Sequence, residues 1–493
     1  MAETRPNILL IFTDQQRWDT IRAAGNPVMR TPNLDRLAAG GTLFKSAYTP
    51  SPVCVSARCS LIFGQYPANT GCADNCDAMP DDRPTFMQSL TDAGYRTHGI
   101  GKMHFTRDTN ALRGFQTRER QEELGGRVED DVYLCFLRDN GFGHVYDPMG
   151  PRGEMYYIPQ PSQLPARLHA TNWVGDRSIE FLKNASLSQP FFLFSSFIHP
   201  HPPFSPPTPW NKLYRAPLMP LPKRPHQPES LHTYINKFQN RYKYRDNGID
   251  NNLLRCIKAY YYACISFIDY QVGRMLDVLE QRGMAENTLI LFTSDHGEML
   301  GDYDCFGKRS MLDSAARIPM IARFRGRVPA SATCDEPTSL VDILPTILNA
   351  AGMSEDAGRS DGVDLARVAA GEHSGRTIFS QFHRREHGVY MALNRRWKYF
   401  YSAPDRKEFL IDREQDPEET RNRAGIVFCA EALKEMRSRA IGFFRDRDVT
   451  EHIEGDSWKQ YQQPRLPDDP DECLLIQDPG WSRKHQIIPG YTD

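Results

Sequence analysis

Two short segments concentrate groups that could hold a cation. Thr13-Asp14-Gln15-Gln16-Arg17 follows the apolar run Asn7–Phe12, and Ser294-Asp295-His296-Gly297-Glu298 follows Thr288–Thr293. An acid just past a strand is, taken singly, as often a helix cap as a ligand. Together Asp14, Gln15, Asp295 and His296 supply two carboxylates, an amide oxygen and an imidazole, which suits a divalent cation with mainly hard oxygen ligands. Lys102, His104, His201 and Lys308 are basic residues that no spacing ties to these two segments. Each alone would read as a solvated lysine or a packed histidine. His199 would share a face with His201 in an extended segment, so spacing does not separate them.

These residues need a scaffold that brings distant segments together. Residues 7–13, 95–100, 191–197 and 288–293 read as strands, the first and third as the near-continuous apolar runs of a buried parallel sheet. Helices are expected to open at Thr31-Pro32 and to span Thr85–Ala93 and about Leu253–Arg282. The alternation predicts an α/β fold, a large doubly wound mixed sheet flanked by helices. Ligands gather at the carboxyl ends of strands in such sheets, which is where Asp14 and Asp295 stand. Residues 200–228 are too rich in proline for a helix. Beyond about residue 375, Val389–Leu393 and Trp397–Ser402 look like antiparallel strands, with a helix from about Cys429 to Phe444. The expected division is a catalytic domain over 1–375, a small C-terminal α+β subdomain over 376–455 and an extended tail over 456–493.

Composition narrows the class. The 493 residues carry 60 Lys+Arg against 62 Asp+Glu, and mean hydropathy is −0.57. The length suits one large domain plus a smaller one. Without a basic excess, sequence-independent nucleic-acid binding is not expected, and no run approaches the roughly 20 apolar residues of a membrane helix. The Asn7–Phe12 run is short for a signal-peptide core and follows Glu3, so a cytoplasmic location is expected. The eleven scattered cysteines then read mostly as buried thiols, and Cys72/Cys76 lack the second ligand pair of a zinc site.

The segment Ser51-Pro52-Val53-Cys54-Val55-Ser56-Ala57-Arg58 runs on through Leu61 and Gly64 to Tyr66-Pro67. It resembles the stretch of sulfatases, in the alkaline phosphatase superfamily, whose Cys is oxidised to formylglycine and is followed four residues later by Arg. Further segments resemble that family in the same order: Gly101-Lys102-Met103-His104, Pro200-His201-Pro202-Pro203-Phe204, Lys308 ahead of Ser314-Ala315-Ala316-Arg317-Ile318-Pro319, Val341 to Leu348, Arg395 to Tyr401 and Asp416 to Glu419. The resemblance spans residues 6 to about 425. It implies hydrolysis of a sulfate ester, small-molecule or saccharide. It also implies Asp14, Gln15, Cys54, Asp295 and His296 around one divalent cation, and Cys54, Arg58, Lys102, His104, His201 and Lys308 as the catalytic set. Lys102, His201, Lys308 and Asn75 are the implied substrate contacts, with His201 preferred to His199 because it matches the motif. The implied chemistry is in-line attack by hydrated formylglycine, protonation of the leaving oxygen by His201 or Lys308, and release of sulfate once His104 removes a proton. Calcium is the family default, with manganese or magnesium as alternatives. A formylglycine-generating enzyme is an implied partner, and a homo-oligomer a further expectation.

Three departures bear on that reading. Ser56 stands where the maturation motif usually has Pro or Ala. Asp14-Gln15 and Asp295-His296 replace the commoner Asp-Asp and Asp-Asn, and look more like the choline-sulfatase and phosphonate monoester hydrolase branch. A hydrolase of phosphonate monoesters or phosphodiesters is therefore one alternative. A silent binding protein with unconverted Cys54 is the other, with Ser56 as its only support. His98, His383 and His387 read as mostly structural, with the substrate mouth a secondary reading for His383 and His387. Arg113, Arg118, Asp130, Tyr156, Tyr157 and Trp173 lie in segments expected to shape that mouth.

Overall fold

The computed structural model describes residues 5–123, 128–145, 147–152, 155–248, 250–358 and 360–469. Cys473 and most of the expected tail lie outside them. Its centre is an eight-stranded mixed sheet. The order is Thr117–Arg120, Arg96–Gly101, Phe191–Phe197, Asn7–Thr13, Thr288–Ser294, Met320–Arg323, Thr42–Phe44 and Ala332–Cys334. The first five strands run parallel, while Met320–Arg323 is antiparallel to both neighbours.

The central strand is apolar on both faces because both are covered. Ile8, Leu10 and Phe12 enter one core, under helices Cys54–Phe63, Phe86–Asp92 and Ile343–Ala350. Leu9 and Ile11 enter the other, under Pro32–Ala39, Ala170–Lys183 and the 31-residue helix Asn251–Gln281. Pro32 occupies the first helical turn, where its missing N–H costs nothing. The proline-rich 200–228 segment holds only short 3-10 turns. A four-stranded antiparallel sheet spans Ile378–Phe382, Val389–Leu393, Trp397–Ser402 and Lys407–Asp412, with helix Ala430–Arg445 on one face. Its other face shares a core with Tyr48, Val53 and Met299 of the main body.

Register determines where the chemistry gathers. Thr13 pairs with Ser294 and Gly101 with Ser196, so four adjacent parallel strands end level with one another. Asp14, Asp295, Ser196 and Lys102 therefore emerge on the same rim. Gly101 allows this close approach: at φ +88 a Cβ there would lie 1.9 Å from the Ser196 carbonyl oxygen. Among the described residues no helix is long and apolar enough to cross a membrane.

Candidate active site

Cys54 is the first residue of the buried helix Cys54–Phe63, where the helix dipole favours negative charge. Its Sγ lies 2.9 Å from Lys308 Nζ, 3.1 Å from His296 Nε2 and 3.6 Å from Asp14 Oδ1. Burial and Asp14 oppose ionisation of the thiol, but Lys308, His296 and Lys102 outweigh them and hold its pKa well below the ordinary value. Asn75 accepts from Val55 N (3.0 Å), tying the first turn of this helix to the cavity rim that Asn75 also lines.

One turn on, Arg58 is turned beneath the two carboxylates. Its Nε donates to Asp295 Oδ2 (3.1 Å), Nη2 to Asp14 Oδ2 (3.2 Å), and Nη1 to Lys102 O (2.6 Å) and Ser196 Oγ (3.1 Å). Such a fork orients both acids as no lysine could. Lys102 Nζ bridges Asp14 Oδ2 (2.7 Å) and Glu123 Oε2 (2.8 Å).

Ligand atoms of Asp14, Cys54, Asp295 and His296 all lie within 4.8 Å of one another. Gln15, in the left-handed region at φ +66, turns its Oε1 to within 2.8 Å of Lys308 Nζ. His296 Nδ1 faces Gly297 O (3.0 Å), which makes Nε2 its ligand atom. Burial and the neighbouring Asp14 push Asp295 up to about 6. Burial also opposes ionisation of Asp14, yet Lys102, His201, Arg58 and Lys308 hold it well below the carboxylate range. Two buried acids, an imidazole and the Cys54 position gathered within 4.8 Å fit a divalent cation, with Gln15 next to Asp14 in the chain.

Next to this cluster, joined to it by Lys308, lies a cavity of about 570 Å³. His104, His201, Lys308 and Asn75 border it, as do Asp74, Glu122 and Glu123. Tyr234, Ile235, Phe238 and Phe382 give it an apolar side, and His383 and His387, read from the sequence as mainly structural, also line it. His201 Nδ1 lies 2.7 Å from Pro202 O, and its Nε2 lies 3.3 Å from Glu123 and 3.5 Å from the Tyr156 hydroxyl. Burial, with Lys308, lowers its pKa to about 3 against the pull of Glu123 and Asp14. His199 is buried against His169 and bonded to Thr171, apart from the cavity lining.

None of Arg113, Arg118, Asp130, Tyr156, Tyr157 or Trp173 lines the cavity. Trp173 packs on Tyr133 in the core, and Arg113 is spent on the carbonyls of Pro80 and Thr106. Tyr156 and Tyr157 stand one layer behind the site, on His201 and Glu298, and residue type alone does not distinguish these roles from ligand contact. His98 is structural, stacked on Phe181 and bonded to Thr117. Residues given no role from the sequence also enter the site, Glu123 and Glu298 among them. Glu123 joins Lys102, His201 and Arg152, and Glu298 holds Gln15. Glu298 stood within a quoted motif and could have been singled out, whereas Glu123 carried no signal.

A family model described as "Sulfatase" matches residues 6–353, and one described as "N-sulphoglucosamine sulphohydrolase, C-terminal" matches 301–442. An arylsulfatase of Clostridium perfringens is 31% identical over 90% of this chain and 95% of its own length. A choline-sulfatase of Rhizobium meliloti is 31% identical over 86% and 83%. The crystal structure of a phosphonate monoester hydrolase of Agrobacterium radiobacter superimposes with TM-score 0.77 at 24% identity, covering 90% of this chain and 96% of that one. That likeness bears on the fold.

Proposed function

This chain belongs to the sulfatase family and is a sulfuric ester hydrolase, and we propose that it cleaves its ester with a formylglycine made from Cys54 beside one divalent cation. The observation that carries this reading is Cys54 itself. It sits at a buried helix start within 3.6 Å of Lys308, His296 and Asp14, and Lys308 in turn borders the cavity. Asp14, Gln15, Asp295, His296 and residue 54 would hold the cation, calcium by family habit. The two groups would supply Lewis-acid polarisation and an oxygen nucleophile.

The chain's own residues do the rest. Lys102 and Lys308, both buried, neutralise charge developing on the sulfuryl oxygens. Arg58 keeps the two acids in register from below. Lys308 gives the departing alcohol its proton. His201 is suited to orienting the ester, because its imidazole is neutral above about pH 4 and Nδ1 faces Pro202 O. His104, at the cavity edge, takes the proton whose removal frees sulfate.

Mass spectrometry of the tryptic peptide ending at Arg58, on protein from the native host, tests the reading. Formylglycine at position 54 is expected, which requires a maturation enzyme that tolerates Ser56. A free thiol from a host with that enzyme would overturn the mechanism. The Gln15 and His296 ligands favour a second reading, hydrolysis of phosphonate monoesters or phosphodiesters. Assays with aryl, choline and sugar sulfates beside phenylphosphonate esters separate the two.

A further inference from the structure

Glu298 is a fully buried carboxylate to which the reaction assigns no part. Four donors saturate it. Leu300 N (3.0 Å) and Gly307 N (2.5 Å) reach Oε1; the Tyr157 hydroxyl (3.2 Å) and Gln15 Nε2 reach Oε2. Gln15 has little freedom to evade this partner. Its backbone N–H donates to Asp295 Oδ1 (2.9 Å), its carbonyl accepts from Tyr261 (2.7 Å), and φ is +66.

We propose that Glu298 is a positioning residue that fixes the polarity of the Gln15 amide and so makes Gln15 a cation ligand. An ionised carboxylate only accepts hydrogen bonds. The amide nitrogen must therefore face Glu298, and Oε1 must face Lys308 Nζ (2.8 Å), whose ammonium also reaches Cys54 Sγ (2.9 Å) in the Asp14–Cys54–Asp295–His296 cluster. Reversed, the amide would aim two N–H donors at an ammonium and a cation. An aspartate at position 15 would need no such control, since either of its oxygens serves. The same carboxylate pins Leu300 and Gly307, the turn that delivers Lys308. The inference rests on the cation reading given above.

The test is a charge swap between the two partners. In Glu298→Gln, the new amide oxygen keeps both backbone N–H groups, Tyr157 can rotate to accept, and only Gln15 is driven to flip. Mn²⁺ and Ca²⁺ are titrated calorimetrically into metal-stripped wild type, E298Q and the double variant E298Q/Q15E, with near-ultraviolet circular dichroism to score folding. Removing an outer partner of a metal ligand should weaken cation binding by about 10–100-fold. The double variant restores an acceptor facing the new amide and another facing the cation, and should recover binding to within a few-fold of wild type. A single variant that fails to fold, rescued by the second substitution, gives the same support. Wild-type affinity in E298Q, or a double variant that binds as weakly as E298Q or does not fold, overturns the proposal. Wild type that binds neither ion overturns the cation reading itself, and this inference with it.

Discussion

At the scale of single residues, hydrogen-bond geometry assigns different work to groups of the same charge. Arg58 has four of its bonds committed to Asp14, Asp295, Lys102 O and Ser196, so it braces the acids, while Lys308 borders the cavity. Arg58→Lys keeps the charge but can satisfy only part of that set. Leaving a buried acid without its partner should cost about 3 kcal/mol, read as a lower melting temperature in chelator. Conversion of Cys54 is quantified on the same sample, so that poor maturation is not mistaken for poor catalysis. Lys308 and His201 separate by leaving group. Losing the proton donor should cost about 10²–10⁴-fold on an alkyl sulfate and far less on 4-nitrophenyl sulfate, whose phenolate leaves unaided. Lys308→Ala is expected to show that contrast, and His201→Ala similar losses on both esters. The opposite pattern assigns the proton to His201. Asp14, Asp295 and Cys54 were legible because strand ends and motif order mark them. Glu123 was not, since its partners Lys102, His201 and Arg152 come from segments whose meeting only the fold decides.

At the scale of elements, the buried strands and long helices could be read because their apolar residues recur without interruption or at helical spacing. Phe191–Phe197 and Asn251–Gln281 lie where periodicity placed them, within two residues at the ends. The short strands Thr42–Phe44 and Ala332–Cys334 escaped because three residues carry no period. Helix Cys54–Phe63 escaped because it is buried on every side and shows no amphipathic stripe. The register that aligns four strand ends was invisible too, and it depends on Gly101. Gly101→Ala would set a methyl group 1.9 Å from Ser196 O, forcing apart the strands that carry Lys102 and Ser196. A loss of roughly 3 kcal/mol or more is expected from thermal melting, with activity falling further because Lys102 moves. Gly94 is the control. Its φ is +87 but nothing lies within 4 Å of a Cβ there, so Gly94→Ala should cost only the backbone strain, about 1–2 kcal/mol. Equal losses at both positions would show that close packing at Gly101 contributes nothing.

At the scale of the whole molecule, acid is the natural probe, because stability is carried by buried imidazoles and buried acids that titrate in different windows. Asp14 and Glu123 are held well below the carboxylate range against the cost of burial, Asp14 by Lys102, His201 and Arg58 and Glu123 by His201, Lys102 and Arg152. Their contributions persist until pH falls below about 4. Histidines with lowered pKa act earlier. His452 lies where the C-terminal sheet, helix Ala430–Arg445 and the strand Ser457–Trp458 meet. It stacks on Tyr390 at 4.2 Å and meets Phe444 edge-on at 4.5 Å, and neither ring nitrogen has a hydrogen-bond partner among the described residues. Burial lowers its pKa to about 4 against a weaker pull from Glu451. Above pH 6.5 both the folded and the unfolded chain hold it neutral, so it has no effect. Between about 6.5 and 4 the unfolded chain takes up a proton that the folded chain refuses, and stability falls with pH. At pH 5 the loss relative to pH 8 is about 2 kcal/mol from this residue. His452→Phe keeps an aromatic ring in the stack and removes the titration. Its melting temperature is expected to match wild type near pH 8 and to fall less steeply towards pH 5, whereas parallel curves would place the acid sensitivity elsewhere, with His169 and His199 the next to test.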